Sequence, residues 1–329
     1  MKYLRHHLRF LATLQLLPAL ESGEEILVGG QAVMEGVMMR SPHAWGIAVR
    51  KGDGQVAAHS ESLERPSEKH RWMGWPVIRG VVTLGQAMKL GYRALQFSAN
   101  VALEEEQKDT PPEKRLEFKG WVAWANIIFS LGFFIGMYKF LPWLATTKLK
   151  AMYPALDTRF GIGLVDGLIR ITLFLLFIWL LSRAKDIRRV FQYHGAEHKT
   201  VFAFESREPV TIPSAQKFPT WHPRCGTSFL MTVMLICIPI YMLLPKLAFW
   251  PGFGIRLLML PVIAGVSYEI IRFAARRRSS LFALMTRPGL WLQRITTQPC
   301  DDTQVECAIR ALDEAFALEK QRGGELVLA

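Results

Sequence analysis

The chain has 329 residues, 50% of them hydrophobic and 21% charged, with a mean hydropathy of +0.17. This composition excludes a disordered chain, a collagen-like rod and a disulfide-stapled mini-protein. Lys and Arg outnumber Asp and Glu by 40 to 28, a formal charge of +12, which suits anionic lipid or nucleic acid.

Residues 1–21 read as an extension. Arg9 to Leu20 is a short apolar run after a basic start, but it lacks a small-residue cleavage site and Glu21 follows directly. Residues 22–120 read as a separate α+β portion. Ile26 to Val28 is a short strand candidate. Trp45 to Lys51 and Gln55 to Ser60 flank Gly52-Asp53-Gly54, a hairpin signal. Val77 to Leu103 is one helix, apolar nearly all round, that either lies on a membrane surface or packs against spanning helices. Glu104 to Arg115 is charged and bears prolines, the mark of a linker.

Four stretches are apolar enough to cross lipid, which takes about 20 residues. Trp121 to Tyr138 and Ser228 to Pro245 are each 18 residues without a charge. Gly161 to Ser182 contains Asp166 and Arg170, which are four apart and able to pair along a helix. Pro251 to Ala275 carries Arg256, Glu269 and Arg272 towards its ends. Spans one and two therefore occupy 121–182, and spans three and four occupy 228–275. Arg183, Lys185, Arg188, Arg189, Lys199, Arg207, Lys217 and Arg224 lie in the intervening segment 183–227, and Arg276, Arg277 and Arg278 follow span four. The positive-inside bias places that segment and both termini in the cytoplasm. Topology thus accounts for much of the charge, and no RNA- or DNA-binding motif calls for nucleic acid. In the C-terminal region 276–329, Thr303-x-x-Glu306 reads as a capping box ahead of apolar Val305, Ile309, Leu312 and Phe316. The four cysteines form no CxxC pair and fit a reducing compartment.

Candidate chemistry concentrates in 183–227. Tyr193-His194-Gly195-Ala196-Glu197-His198-Lys199 contains H-x-x-E-H, the inverted zinc-protease motif. Residues four apart share a helix face, so both imidazoles can reach one ion, and Glu197 can serve as general base beside it. His222 and Cys225 follow at the mouth of span three, within Trp221-His222-Pro223-Arg224-Cys225-Gly226-Thr227-Ser228. Thiolate and imidazole are the preferred zinc ligands. If spans two and three pack together, His194, His198, His222 and Cys225 converge. Four ligands would close a structural site, and three would leave a catalytic position open. Glu35, in Gly29-Gly30-Gln31-Ala32-Val33-Met34-Glu35-Gly36, is a second candidate base or distal ligand. Gln31 and Glu35 are read on one face of a short helix, after a tight turn that Gly29 and Gly30 permit. Glu269 is expected to pair with Arg272 or Arg276.

These segments resemble the YqhQ-like family of bacterial multi-pass membrane proteins. The matching residues are Gly29 to Arg40, Tyr193 to Lys199, His222 to Ser228, Pro288 to Gln293 and Thr296 to Asp302, within a resemblance covering roughly 24–320. The family is described as predicted metal-dependent enzymes without an established substrate. The resemblance therefore implies an inner-membrane location and supports the metal reading.

The expected architecture is a bundle of about four transmembrane helices, with a small cytoplasmic α+β N-terminal portion and a cytoplasmic C-terminal helix. The expected cofactor is a divalent metal, zinc first. The expected partners are membrane lipid and an unassigned substrate, with homo-oligomerisation open. Two functions stand side by side: a metal-dependent hydrolase at the membrane–cytosol boundary, and a non-enzymatic adaptor or assembly factor whose loop is merely shaped by metal or hydrogen bonds.

Overall fold

The computed structural model describes residues 28–63, 70–106, 121–222, 225–245, 249–276 and 281–321. The Arg9 to Leu20 run, nearly all of the proposed 26–28 strand and most of the 104–115 linker lie outside the described residues; Val28 itself is not in a strand.

An antiparallel meander, β1 (Gly29–Val33), β2 (Gly36–Arg40), β3 (Ala44–Arg50) and β4 (Val56–Ser62), opens the fold. The Gly52-Asp53-Gly54 turn joins β3 and β4 as its residues predict. The stretch read as a short helix is instead the first hairpin. Val33 pairs with Gly36, Gly29 pairs with Arg40, and Met34-Glu35 forms the turn, with Glu35 at φ 54. Gly29 and Gly30 therefore sit inside β1 rather than in a turn. β1 is drawn into the sheet by its pairing with β2, and β2 and β3 are buried on both faces. Val37, Met39 and Ala48 point to one side, and Met38, Trp45, Ile47 and Val49 to the other. An apolar run buried on both sides shows no alternation, so its pattern cannot be told from a helix.

One sheet face packs on α1 (Ile78–Glu106) through Leu90, Ala94 and Val101. The other is covered by α5 (Lys185–Glu205) and α10 (Asp302–Gln321). The described residues of 22–120 share their core with the C-terminal helix. Val305, Ala308, Ala311 and Leu312 of the C-terminal helix complete their core. The cap of α10 differs by two residues from expectation. Asp301 Oδ1 accepts from Gln304 N–H at 3.0 Å, and Gln304 Oε1 accepts from Asp301 N–H at 3.1 Å, a reciprocal box. Glu306 is drawn off to Arg50, and Thr303 hydrogen-bonds Asp301.

Among the described residues, four helical stretches are long and apolar enough to cross a membrane: Ile128–Met152, Phe160–Leu181, Gly226–Leu243 and Trp250–Phe273. The first runs through α2 (Trp121–Ile135), a π-helical turn (Gly136–Phe140) and α3 (Leu141–Met152). It continues past the expected end at Tyr138, with the π-helical turn directly ahead of Pro142 in the first turn of α3. The others are α4 (Arg159–Leu181), α7 (Gly226–Leu243) and α8 (Phe249–Arg276). A short α6 (Ile212–Ala215) follows α5, and α9 (Leu281–Thr296) packs along α7. Asp166 and Arg170 pair at 2.7 Å as predicted. Glu269 pairs with Arg79 rather than with Arg272, because α1 docks on α8 and brings that guanidinium in, Nε to Oε1 at 2.7 Å. The side chain of Arg276 lies outside the described residues.

Candidate metal centre

α5 starts four residues after α4 ends, and Cys225 directly precedes α7. The packing of α4 against α7 therefore brings both ends of segment 183–227 to one end of the bundle. There the ligand atoms of His194, His198 and Cys225 lie within 4.8 Å of one another. His194 Nε2 is 3.2 Å from Cys225 Sγ, across 31 positions of sequence.

The backbone sets the protonation of both imidazoles. His194 Nδ1 is 2.8 Å from the Thr296 carbonyl, and His198 Nδ1 is 2.6 Å from the Thr220 carbonyl. A carbonyl only accepts, so each Nδ1 carries a proton, and Nε2 is the atom of each ring left to ligate. The Nε2 of His198 is buried and has no hydrogen-bond partner among the described residues. Leaving such an acceptor unmet costs about 1–3 kcal/mol.

Cys225 is the N-cap residue of α7. Its Sγ accepts from the Thr227 N–H at 3.4 Å and lies 3.1 Å from Thr227 Oγ1. Burial pushes its thiol pKa up, but the adjacent His198 imidazole and the Thr227 hydrogen bonds outweigh that, and the net shift is down. A thiol at a helix N-terminus is inclined to the thiolate for the same reason. Burial drives the pKa of His198 down, and neighbouring His194 adds to it, so the ring stays neutral, as a ligand must be. Two imidazoles that turn Nε2 inward and one thiolate-prone sulfur suit a borderline-soft divalent ion.

Glu197 sits beside this trio and is fully enclosed. Burial pushes its carboxyl up to about 7, against the opposing pull of His194 and of a hydrogen bond from the Gly30 N–H. Gly30 is required here: a Cβ on it would stand 2.8 Å from Glu197 Cγ and 2.7 Å from the Met38 carbonyl oxygen. Gly195 plays the matching part behind α5, where a Cβ would meet the Gln298 carbonyl at 2.3 Å.

His222 stands next to the trio without joining it. Its ring centroid is 5.7 Å from that of His198, but its Nε2 lies 3.1 Å from Glu205 Oε2 and its ring packs edge-on to Phe202 at 4.4 Å. Burial drives its pKa down to about 3. Glu35 is not brought to the trio either. Its carboxylate takes a two-point hydrogen bond from Arg189, with both contacts at 2.5 Å, and another from Tyr193 at 3.3 Å, which fastens the first hairpin to α5.

Residue-by-residue reading missed Gln293. This fully buried amide accepts from the His222 N–H at 2.6 Å and donates to the His222 carbonyl and to Ser228 Oγ, each at 2.8 Å. It clamps the approach to Cys225. The only sign of it in the sequence was its place at the end of the Pro288 to Gln293 run.

A family model described as "Protein of unknown function (DUF1385)" matches residues 75–318. An "Uncharacterized protein YqhQ" from Bacillus subtilis (strain 168) is 30% identical over 299 residues, covering 88% of this chain and 92% of that protein. No solved structure matches.

Proposed function

The chain belongs to the YqhQ-like DUF1385 family, and on that footing we propose that it is a multi-pass inner-membrane protein with a divalent-metal site at the cytoplasmic face, zinc first, that hydrolyses a substrate at the membrane–cytosol boundary. The basic residues between α4 and α7 and the positive-inside bias support the orientation.

One observation carries the metal reading: the buried, unmet Nε2 of His198 faces the Nε2 of His194 and the Sγ of Cys225. A lone pair with no well-formed hydrogen bond, facing a thiolate-prone sulfur in a closed interior, is what a bound ion would satisfy. Three protein ligands leave a fourth position open, the arrangement of catalytic rather than structural zinc. A bound divalent ion would supply Lewis acidity at that position. With the ion in place, Glu197 would take a proton from the attacking water and pass it to the leaving group, while the Thr296 and Thr220 carbonyls keep both Nδ1 atoms protonated and both Nε2 atoms turned to the ion.

Elemental analysis of the purified chain tests this. Wild type is expected to hold close to one equivalent of metal. His194→Ala and Cys225→Ala, which cut the site from its two separate pieces of chain, are expected to lose it. Wild-type protein free of zinc, iron and manganese across several preparations overturns the proposal.

The adaptor reading has support of its own in the Gln293 clamp and the His222–Glu205 pair, which would shape this segment without any turnover. A Glu197→Gln variant separates the two.

A further inference from the structure

The proposed site leaves unexplained the outer surface of the bundle at the end that carries the His/Cys cluster. There α9 packs on α7 and α4. Its Leu292 joins Phe174 and Met231 in one apolar cluster, and a Cβ on its Gly289 would stand 2.6 Å from the Ser228 Cα, in the first turn of α7. Gly289, Leu292, Gln293 and Thr296 are buried on the inner face of α9. Arg287, Trp291 and Arg294, at i, i+4 and i+7, share the outer face, and all three are exposed. Trp291 is 71% exposed, and the Arg294 guanidinium lies 5.3 Å from the centre of its ring.

α4 repeats the arrangement at the same end. Beyond Phe174, Trp179 is 44% exposed and the Arg183 guanidinium lies 4.5 Å from its ring centre. Among the described residues no carboxylate pairs with Arg183, Arg287 or Arg294. Lys185 and Arg188, exposed at the start of α5, add two cations, and the exposed Asp186 between them removes one.

Water rewards an exposed guanidinium but not an exposed indole. Hydrocarbon rewards the indole and penalises the cation. A headgroup layer rewards both, which is why indoles collect there. A guanidinium stacked on a ring face keeps its N–H edge free, and that edge matches two oxygens of a phosphate. Unpaired cations favour an acidic headgroup over a zwitterionic one. Both indole–guanidinium pairs adjoin α4 and α7, two of the helices long enough to cross a bilayer, so the surface continues directly from the lipid-facing one.

We propose that Trp179, Arg183, Arg287, Trp291 and Arg294 form a collar that binds the phosphate headgroups of acidic phospholipid at the end of the bundle where the His/Cys cluster lies. The inference rests on the bundle crossing a bilayer and is independent of the metal.

The test uses the full chain in nanodiscs of phosphatidylcholine with phosphatidylglycerol as the minor lipid, and native mass spectrometry reads the lipid that stays bound. Wild type is expected to enrich phosphatidylglycerol about tenfold over the disc, and Arg287→Gln/Arg294→Gln, which removes two cations, to fall back to about the disc composition. Trp291→Ala keeps every charge and is expected to lose about half of the enrichment or more. Lys148→Gln/Lys150→Gln removes the same charge near the end of α3, at the other end of the bundle, and is expected to change nothing. That pattern supports the collar. No preference for phosphatidylglycerol, enrichment indifferent to the arginine and tryptophan variants, or an equal loss in the lysine variant overturns it. Should the double arginine variant fail to fold, Arg183→Gln on the other helix is read in the same discs, where a loss supports the collar and wild-type enrichment overturns it. A chain that stays soluble without detergent or lipid overturns the bilayer reading, and this surface with it, while its metal content is judged separately.

Discussion

A Cβ at Gly30 would lie 2.8 Å from Cγ of Glu197, so the first strand and the motif helix meet with no room for a side chain between them. That contact encloses the Glu197 carboxylate beside the His/Cys trio. Gly30→Ala must push either α5 or β2 aside, since the Met38 carbonyl stands 2.7 Å from the same point. Such overpacking costs about 1–3 kcal/mol. We expect a lower thermal midpoint together with reduced metal content, because α5 carries both histidines. A Gly30→Ala protein with wild-type midpoint and metal content would contradict this packing.

Glu197→Gln keeps the shape of the side chain and an oxygen to accept from the Gly30 N–H. Folding and metal content should therefore match wild type. If Glu197 transfers protons, rescue of a strain lacking the gene should fall about a hundredfold or more. Full rescue by the variant favours the adaptor.

Much of this arrangement was legible in the chain, and what was hidden has physical reasons. The apolar runs and their flanking charges report solvent preference directly, so the candidate spans and the Asp166–Arg170 pair could be read. The spacing of His194 and His198 placed them on one helix face. Three features escaped. The β1–β2 hairpin leads into strands β2 and β3 that are buried on both sides, which erases the alternation that marks a strand. The groups that orient the two imidazoles are main-chain carbonyls of Thr296 and Thr220, which any residue would supply. Gln293 and Arg79 act through tertiary contacts 71 and 190 positions away, where no local pattern reaches.

Gln293 satisfies both backbone groups of His222 and the Ser228 hydroxyl. Gln293→Leu keeps the volume and removes all three partners. Each buried polar group left unmet costs about 1–3 kcal/mol, less what nearby relaxation recovers. A drop of several degrees in thermal midpoint is expected. Metal affinity should weaken as well, since the clamp sets the approach to Cys225. An unchanged midpoint would show that the clamp does not bear on stability.

Glu319 joins the C-terminal helix to the sheet. Its Oε2 accepts from Ser41 Oγ at 2.6 Å and from the His43 N–H at 2.9 Å, and its Oε1 lies 2.8 Å from His43 Nδ1. Burial alone would raise its pKa. The hydrogen bonds from Ser41 and His43 outweigh that and hold it below the ordinary 4.5. A carboxyl depressed in the folded state stabilises the fold above its unfolded pKa, and the contribution disappears as pH falls through the lower folded value. The thermal midpoint of the wild-type chain should therefore carry a Glu319 component that is constant from pH 7 to about 5 and declines below that. Ser41→Ala removes one charge-assisted hydrogen bond, about 1.5–3 kcal/mol at neutral pH. The difference between Ser41→Ala and wild type should then shrink on acidification. A difference that stays constant down to pH 3 would mean that Glu319 is not ionised in this clamp.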